Sequence, residues 1–553
     1  MSNIVKGINI PLNRAEGDLE INVDMRDGVI TDAWSRGTMY RGFEDMMTGR
    51  GVLDGLVITP RICGICSLSH LTAAVSALDV ITGIVLPDNA IRLCNIALMA
   101  ETIQSDMRQT VLMYMVDFTN SGAYSSHSMF EDAIRRYSPL RGISAQNVIR
   151  ETKRLIEVIA IIGGQWPHTS FMVPGGVTSV PEIHKILQCR MIINNFKRWY
   201  EKRVLGCSIE RWSEVTTLND LHQWLEESQR HRDGEVGFFL RFAMEAGIDR
   251  IGRGTDTFLS FGSLLLPSET TVTGQLTTVA GDSPVLKESA TTEQNGRFIR
   301  SGFARGLDVE TFDQSKISED VSHSWYHPTV ADPVQPTQFG NIELQPSIVG
   351  NLKPDSAMQM QPLPLRSVHP FKGSTKPYAS GNSGEQYSWT KAPRYDGLPA
   401  ETGPLAEMIV AKVPLFQDMI KNNGANAMAR ELARLVRAAS LLPAMEIWLD
   451  ELMRNRKAPF YNSIKDIPDG DGAGMIQAAR GALGHWVSIR NGRISHYQII
   501  TPTAWNGSPR DSNNTRGPWE EALVGTAIKN HDNLVEAGHV VRSFDPCMVC
   551  SVH

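Results

Sequence analysis

The chain begins with alternating apolar and polar positions. The apolar members of the pattern are Ile8, Ile10, Leu19, Ile21 and Val23. Asp27-Gly28, a pair typical of tight turns, follows them. Because the side chains of a strand alternate between its two faces, the pattern predicts a small β-hairpin layer over residues 7–32.

A helical period replaces this alternation after Pro87. Apolar residues recur every three or four positions as far as Val116, and Asp88 or Asn89 is the predicted N-cap. A second helix is predicted over residues 144–162. The same period predicts further helical segments over 191–205, 218–228 and 419–453.

Local signals predict where these helices begin and end. Ser144 is the predicted N-cap of the second helix, and Gly163-Gly164 is its predicted end. The long stretch over 419–453 contains two helix breakers, Asn423-Gly424 and Pro443. We expect an interruption at each of them.

Proline, glycine, serine and threonine are dense between residues 252 and 404, where apolar runs are short. This composition favours an irregular excursion of strands and loops, with a strand-like piece over 268–280, rather than a separate domain. Alternation over 482–501 around Asn491-Gly492 predicts a hairpin. The predicted fold class is therefore mainly α with small β-hairpin layers (α+β), in one domain over 1–553 with sub-regions 1–86, 87–250, 251–404 and 405–553.

Composition excludes several classes of protein. The 553 residues are 42% hydrophobic and 21% charged, which excludes global disorder, and the net charge of −6 provides no basic excess for nucleic acid. No apolar run approaches the ~20 residues that a bilayer requires. The start of the chain lacks a secretory signal. We therefore expect a cytoplasmic protein, with any membrane association or export provided by its partners.

Cysteine placement is the first chemical signal. The seven cysteines are Cys63, Cys66, Cys94, Cys189, Cys207, Cys547 and Cys550. An odd and sparse set is not a disulfide framework and indicates a reducing compartment. Four of the seven form two Cys-x-x-Cys pairs, one near each end of the chain.

Three kinds of site use such pairs. A zinc knot would link both chain ends, although its pairs usually lie close together in sequence. Two independent thioredoxin-like redox pairs would each need a βαβ context that is absent from the predicted elements. A metal centre between the two chain ends is the preferred interpretation, and four soft thiolates favour zinc, nickel or clustered iron.

The motifs carry a resemblance to a known family. They are Arg14-Ala-Glu-Gly17, Arg61-Ile-Cys-Gly-Ile-Cys66 with His70, the stretch from Ala479 to Trp486 continuing through Pro502-Thr-Ala-Trp-Asn506 and Pro509-Arg-Asp511, and Asp545-Pro-Cys-Met-Val-Cys-Ser-Val-His553. Together, and in this order, they resemble the signatures of the large subunit of NiFe-hydrogenases. The resemblance implies that family's helical body, with the active site between the N- and C-terminal motifs.

The resemblance implies roles for the cysteines. All four motif cysteines would bind nickel, and Cys66 and Cys550 would also bridge to an iron that carries one CO and two CN⁻ ligands. Cys63 and Cys547 would then be terminal ligands. Cys547 would take the proton when H2 splits, and Glu16 would relay it.

Further roles follow from the same motifs. Arg480 would lie over the open face of the two metals, oriented by Asp545. Thr503 would hydrogen-bond a cyanide, Leu483 and Pro502 would form an apolar wall, and His70 would donate to a cysteine sulfur. The implied ligands of a structural Mg²⁺ are Glu44, the carbonyl of Ile499 and His553. An ordinary salt bridge from Glu44 to a neighbouring residue is the alternative.

Two positions depart from the family pattern. Gln104-Ser105-Asp106 stands where many respiratory members have His-Asp-His, and Ala479 stands where a proline is usual. The pattern resembles the cytoplasmic uptake, atmospheric H2-scavenging and H2-sensing branch.

The resemblance also implies partners, because the chain has no spare cysteine set for an iron–sulfur cluster. An iron–sulfur small subunit would take the electrons and pass them to a quinone or another acceptor, with the heterodimers in a higher oligomer. Maturation proteins would insert the metals, and an endopeptidase would remove any extension after His553. Two other functions stay open: an H2 sensor that signals to a kinase, and a non-catalytic scaffold related to complex I, which the intact cysteines disfavour.

Overall fold

The N-terminal segment forms a sheet. The computed structural model describes residues 4–272, 296–330, 367–378, 385–530 and 533–553. Its first three strands are antiparallel neighbours, β1 (Ile4–Pro11), β2 (Leu19–Arg26) and β3 (Val29–Gly37). Asp27 and Gly28 join β2 to β3 with φ angles of 51° and 81°, as this tight hairpin turn requires. The predicted β-hairpin layer is confirmed.

Helices dominate the next two hundred or so residues. In chain order they are α1 (Phe43–Met47), α2 (Gly55–Ile58), α3 (Ser67–Thr82), α4 (Asp88–Arg108), α5 (Ser121–Tyr124), α6 (Phe130–Tyr137), α7 (Ile143–Gly163), α8 (Ile183–Tyr200), α9 (Ile209–Ser213), α10 (Leu218–Glu227), α11 (Gln229–Asp233) and α12 (Glu235–Ala246). A two-stranded ribbon of β4 (Met172–Val173) and β5 (Gly176–Val177) precedes α8.

The predicted helices are present, but two predicted caps are wrong. Asp88 is the first residue of α4, and its carboxylate accepts hydrogen bonds from the backbone N–H groups of Ser268 and Glu269 at 2.9 and 3.1 Å. Ser144 lies inside α7, where its hydroxyl donates to Glu235 at 2.5 Å. Both side chains are therefore used by tertiary partners and not by the N–H groups of their own helices.

The excursion after α12 consists of short strands. They are β6 (Thr257–Leu265), β7 (Arg297–Arg305), β8 (Asp308–Glu310), β9 (Ile317–Asp320), β10 (Tyr326–Val330), β11 (Ser367–Val368), β12 (Gly373–Pro377), β13 (Ala392–Tyr395) and β14 (Glu401–Thr402). They form the sheets β14-β6-β7-β8, β11-β9-β13 and β10-β12. Of the strand predicted over 268–280, residues 268–272 are loop, and the remainder lies outside the described residues.

Helices and one hairpin sheet complete the chain. The elements are α13 (Pro404–Val410), α14 (Pro414–Asn423), α15 (Ala427–Arg454), β15 (Gly470–Ala478), β16 (Gly481–Arg490), β17 (Arg493–Ile500), α16 (Pro502–Asn506), α17 (Pro518–Leu523), α18 (Val535–Ser543) and α19 (Met548–Ser551). The predicted hairpin at Asn491-Gly492 is β16–β17. The break at Asn423-Gly424 is confirmed, but α15 continues through Pro443 because neighbouring helices bury it along most of its length.

Two apolar clusters bring the chain ends together. The principal core contains the helical body and also the four motif cysteines. A second cluster packs the strands β1–β3 against α17, α18 and α19. Because the N-terminal sheet covers the C-terminal helices, the first and last motifs become neighbours in space.

Candidate metal centre

Each Cys-x-x-Cys pair lies at the start of a buried helix. Cys66 immediately precedes α3, and the Glu101 carboxylate accepts the N–H groups of Leu68 and Ser69, each at 3.0 Å. Cys547 immediately precedes α19. The carbonyl of Glu16 accepts the Met548 N–H at 2.6 Å, so the first motif holds the last one in place. Both helix starts are therefore satisfied by groups from distant parts of the chain.

The four sulfurs form one cluster in the core. The Sγ–Sγ distances are 3.7 Å for Cys63 and Cys547, 3.6 Å for Cys66 and Cys550, and 2.9 Å for Cys547 and Cys550. All four thiols are free and buried. The two pairs are therefore not independent redox sites. A set of four converging sulfurs is suited to a soft cation.

The protein groups around the four cysteines carry too little positive charge for all four thiols to lose their protons. Hydrogen bonds from the neighbouring thiols, first that of Cys547, hold the pKa of Cys63 well below its usual value. Burial raises the pKa values of Cys547 and Cys550 well above theirs. Thiolates crowded in a dry site repel one another, so all four thiols lose their protons only when a metal cation binds to them.

Arg480 and Asp545 lie beside this cluster. Arg480 is in the two-residue turn between β15 and β16, and its Nε lies 3.0 Å from Oδ1 of Asp545. The N–H directions miss the carboxylate, so Nε and Nη1 are buried without hydrogen-bond partners. Burial alone would lower the pKa of Arg480, but Asp545 and the cysteine sulfurs raise it, so the side chain stays charged. Its free N–H groups fit an acceptor held at the metal centre, and so does the chemistry of the sulfur donor set.

The residues predicted to surround the diatomic ligands are buried in the same region. Thr503 Oγ1 accepts the backbone N–H of Cys547 at 3.1 Å and so positions that cysteine. Pro502 is the first residue of α16, which carries Thr503. Leu483 is in the same apolar cluster as the cysteines. Their contacts with the ligands themselves stay predictions.

His70 lies in a chain of buried side chains. Its Nδ1 is 3.1 Å from Nε2 of His485, whose Nδ1 is 2.9 Å from the Tyr497 hydroxyl. Burial lowers the pKa of His70 to about 3, so the ring is neutral. The predicted donation to a sulfur stays a prediction for the other ring nitrogen. Sequence reasoning missed His485, although it lies within the quoted motif, because nothing in the pattern indicated its partners.

Glu16 connects the cluster to the outside of the chain. Its backbone pairs with Cys547, while its side chain is exposed. Burial of part of the carboxyl group, together with the charge at Cys63, raises its pKa. The next residue, Gly17, has a φ of 90°, and a Cβ there would lie 3.0 Å from Val549. Glycine is therefore required for this close approach of the two motifs.

The three predicted magnesium ligands also converge. Glu44 Oε1 accepts the N–H of Ile499 at 2.9 Å and lies 3.4 Å from Nε2 of His553. The same Nε2 lies 2.6 Å from the Ile499 carbonyl, and Nδ1 of His553 contacts the carbonyl of Cys550. This second cluster therefore joins the last residue of the sequence to the cysteine site through a single turn.

Sequence reasoning missed the cation of this second cluster. The Lys391 ammonium, 2% exposed, lies 2.8 and 2.7 Å from the two oxygens of Glu44 and 3.8 Å from Glu319. Burial alone would raise the pKa of Glu44, but Lys391 and His553 hold it at about 2. A lone lysine far from any motif carries no signal in the sequence.

Glu44→Gln will lower the free energy of unfolding by about 3–5 kcal/mol, because it leaves the Lys391 charge buried without its closest partner. Thermal denaturation of the purified protein measures the change. The matched control is Asp45→Asn, which removes the exposed partner of Lys376 and will cost less than about 1 kcal/mol. Equal losses for both variants would contradict a dominant buried pair.

Comparison with known proteins identifies the family. The family profile described as nickel-dependent hydrogenase matches residues 41–120 and 246–553, more than half of the chain. The chain belongs to the nickel-dependent hydrogenase family.

Relatives of this hydrogenase chain match along nearly their whole length. The uptake hydrogenase large subunit of Rhodobacter capsulatus is 28% identical, with 98% of this chain and 94% of the relative aligned. The hydrogenase-2 large chain of Escherichia coli (strain K12) is 26% identical, with 98% and 96% aligned. The as-isolated, oxidised Ni-Fe-Se hydrogenase from D. vulgaris Hildenborough has the same fold, with a TM-score of 0.75, 24% identity and 100% of both chains covered.

This protein is therefore the catalytic large subunit of a nickel-dependent hydrogenase, with the mostly helical large-subunit fold that the motifs predicted. A large subunit implies a small-subunit partner. The zinc-knot interpretation is wrong, because the family's metal is nickel. In the part of the chain that the structure describes, we find no helix that is long and apolar enough to cross a bilayer.

Proposed function

We propose that this hydrogenase subunit oxidises H2 to two protons and two electrons at a nickel–iron centre. The convergence of four buried cysteine sulfurs beside a charged, partly unpaired arginine carries the proposal. When bound, the nickel–iron group, with one CO and two CN⁻ on iron, supplies the Lewis acidity that polarises H2. Cys63 and Cys547 would bind nickel alone, and Cys66 and Cys550 would bind both metals.

The chain's own residues would orient H2 and separate its charges. The Arg480 guanidinium, buried and 3.0 Å from Asp545, is a fixed cation in a site of low polarity. Such a cation stabilises developing negative charge more strongly than it would in water. Thr503 would hold a cyanide through its hydroxyl hydrogen, since its oxygen already accepts from Cys547. Leu483 and Pro502 would exclude water.

The proton would leave through Cys547 and Glu16. The Cys547 sulfur would hold it first, because a thiolate is the strongest base among the groups at the site. Glu16 is joined to Cys547 through the backbone and has an exposed side chain, so its carboxylate would pass the proton outward. Because its pKa is raised by burial and by the charge at Cys63, this carboxylate accepts a proton more readily than an ordinary surface glutamate does.

Glu16→Gln will lower the rate of H2 oxidation by at least about 100-fold, because the amide cannot carry a proton. Nickel content will be unchanged. H2 uptake with a dye acceptor and the rate of D2/H⁺ exchange measure the effect. Asp18→Asn, an exposed carboxylate two positions further on, is the control. A Glu16→Gln rate within twofold of the unchanged protein would assign the relay to another group.

A magnesium ion would occupy the second cluster. Glu44, the carbonyl of Ile499 and His553 would be its protein ligands, and hard oxygen donors with additional water suit Mg²⁺. Nε2 of His553 already lies 3.4 Å from Oε1 of Glu44 and 2.6 Å from the Ile499 carbonyl oxygen, which supports this assignment. The ion would hold the C-terminal turn, and with it Cys550, against β17.

The physiological setting is also a proposal. We infer an uptake enzyme of the cytoplasm that associates with a membrane through its partners, and an iron–sulfur small subunit that passes electrons to a quinone or another acceptor. Heterodimers would assemble into a higher oligomer. Gln104-Ser105-Asp106 and Ala479 support the uptake, H2-scavenging and sensor branch.

The infrared spectrum of the complex with its small subunit, recorded before and after exposure to H2, tests the function. We expect bands in the metal carbonyl and cyanide region that shift under H2, and a turnover rate above that of a sensor. A metal-replete complex without such bands would overturn the proposal. Shifting bands with negligible turnover would assign the chain to H2 sensing instead.

A further inference from the structure

A row of buried arginines follows one face of α15. Arg430, Arg434 and Arg437 are spaced by four and three residues, so they share a face of the helix, and each is at most 3% exposed. Each donates to the backbone carbonyl of a different segment. The acceptors are Gly252 at 2.7 Å, Ser543 at 3.1 Å and Ala479 at 2.6 Å, respectively.

Arg437 is the most completely fixed member of the row. Its Nε and Nη2 donate to the two oxygens of Asp106 at 2.8 and 2.6 Å. Its Nη1 donates to Glu407 at 2.6 Å. The planar guanidinium is thus held on two sides, and the remaining Nη2 hydrogen donates to the Ala479 carbonyl. A fork held in this way has no freedom to follow a moving partner.

The Ala479 carbonyl belongs to the turn that carries Arg480. Ala478 pairs with Gly481, so Ala479 and Arg480 alone form the connection between β15 and β16. Because the Arg480 guanidinium has unpartnered N–H groups, its side chain is not fixed by a full set of hydrogen bonds. The position of the guanidinium therefore depends on the position of the backbone turn.

The same helix also restrains Asp545. Arg434 donates to the carbonyl of Ser543, two residues before Asp545. Gln109, which follows α4, adds a hydrogen bond to the carbonyl of Arg542 at 2.7 Å. Asp545 itself has a φ of 57°, so its backbone depends on neighbouring contacts. Helix α15 thus contacts the backbone next to Arg480, at Ala479, and the backbone near Asp545, at Ser543.

We propose that Arg437, oriented by Asp106 and Glu407, is a positioning residue that fixes the Arg480 guanidinium over the cysteine cluster through the Ala479 carbonyl. The inference rests on the proposed function of Arg480. It gives Asp106 a role of its own. Both of its carboxylate oxygens accept hydrogen bonds from Arg437, while the adjacent Ser105 hydroxyl is buried without a hydrogen-bond partner.

The test uses Arg437→Lys in the complete complex with the small subunit. Lysine keeps the charge but cannot reach Asp106, Glu407 and Ala479 together. We expect unchanged nickel and iron content, a kcat lowered about 10- to 100-fold by the misplaced arginine with little change in KM for H2, and shifted cyanide bands in the infrared spectrum.

A matched control separates positioning from general stability. Arg92 is 1% exposed, pairs with Glu451 at the far end of α15 and contacts the carbonyl of Glu269. We expect Arg92→Lys to lower the denaturation temperature and to leave kcat per nickel and the infrared bands unchanged. Equal losses of kcat in the two variants, with unshifted bands in both, would overturn the proposal.

Two further variants keep the test decisive if Arg437→Lys folds poorly. Asp106→Asn weakens the orientation of Arg437 without removing it and should shift the same bands in the same direction. Neither Ala479 nor Arg480 has a positive φ, so proline is compatible with the first turn position. Ala479→Pro stiffens the turn and should restore most of the kcat lost in Asp106→Asn. Absence of both effects would also overturn the proposal.

A readout on the metal-free protein separates this inference from the proposed function. Amide hydrogen exchange of residues 478–482 should be faster in Arg437→Lys than in the unchanged chain and unaltered in Arg92→Lys. Faster exchange in a protein that forms no carbonyl and cyanide bands would retain the positioning role and reject the function. Unaltered exchange in a protein with normal carbonyl and cyanide bands would reject the positioning role and retain the function.

Discussion

Cys550→Ser will abolish nickel binding and H2 oxidation together. The Cys550 sulfur lies 2.9 Å from Cys547 and 3.6 Å from Cys66, so its loss opens the cluster at its centre. A serine hydroxyl stays protonated near neutral pH and is a poor ligand for a soft metal. Changing a residue that only supports a ligand costs roughly 10–100-fold in metal affinity or activity, and we expect the loss of the ligand itself to cost more. Elemental analysis and H2 uptake measure both effects.

The control for this variant is Cys189→Ser. Cys189 is also buried, but it lies in α8 and burial raises its pKa to about 12, so it is an ordinary core thiol. The control should keep its nickel and its activity per nickel. A Cys550→Ser protein with normal nickel content and activity would contradict the assignment of the four-sulfur site.

Arg480→Lys will lower kcat by about 100- to 1,000-fold, the range observed when one fixed donor is removed from a stabilising site. Lysine retains the positive charge, but it has no planar fork that pairs with the Asp545 carboxylate and also presents free N–H groups to the metal ligands. Nickel and iron content should not change, since no sulfur is altered. H2 uptake per nickel and the infrared bands of the diatomic ligands measure the change.

Arg490→Lys is the control at the opposite end of β16. That arginine is exposed and pairs with Asp471 at 2.8 Å, so its replacement will leave activity unchanged. An Arg480→Lys protein with full activity would show that charge alone suffices and that the geometry of the guanidinium has no role.

The hairpins and helices could be predicted because their signals are local. The alternation before Asp27-Gly28 and around Asn491-Gly492 depends on side chains a few residues apart, and both hairpins are present. Helix ends were less predictable. Asp88 and Ser144 resemble caps in sequence, but partners almost a hundred residues or more away in the chain use their side chains.

The meeting of the four motif cysteines in one cluster could also be predicted, because their spacing and flanking motifs are local signals. Their mutual distances could not. The apolar packing of the two chain ends brings the sulfurs together, and two hydrogen bonds hold the last motif there: the Glu16 carbonyl accepts from the start of α19, and Arg41 donates to the carbonyl of Val549 at 2.8 Å. Such contacts between the two ends of the chain leave no period or spacing in the sequence.

The sequence by itself determined the soft-metal character of the site, the family and most of the regular elements, since each depends on residue type and on short motifs. Only the tertiary structure decided which buried charges meet. Lys391 reaches Glu44, and Arg437 reaches Asp106 and the turn at Ala479, because distant elements pack at these points. The physical reason is that an unpaired charge in the core is strongly destabilising, so each buried charge is paired with a group that lies near it in space, wherever in the chain that group is.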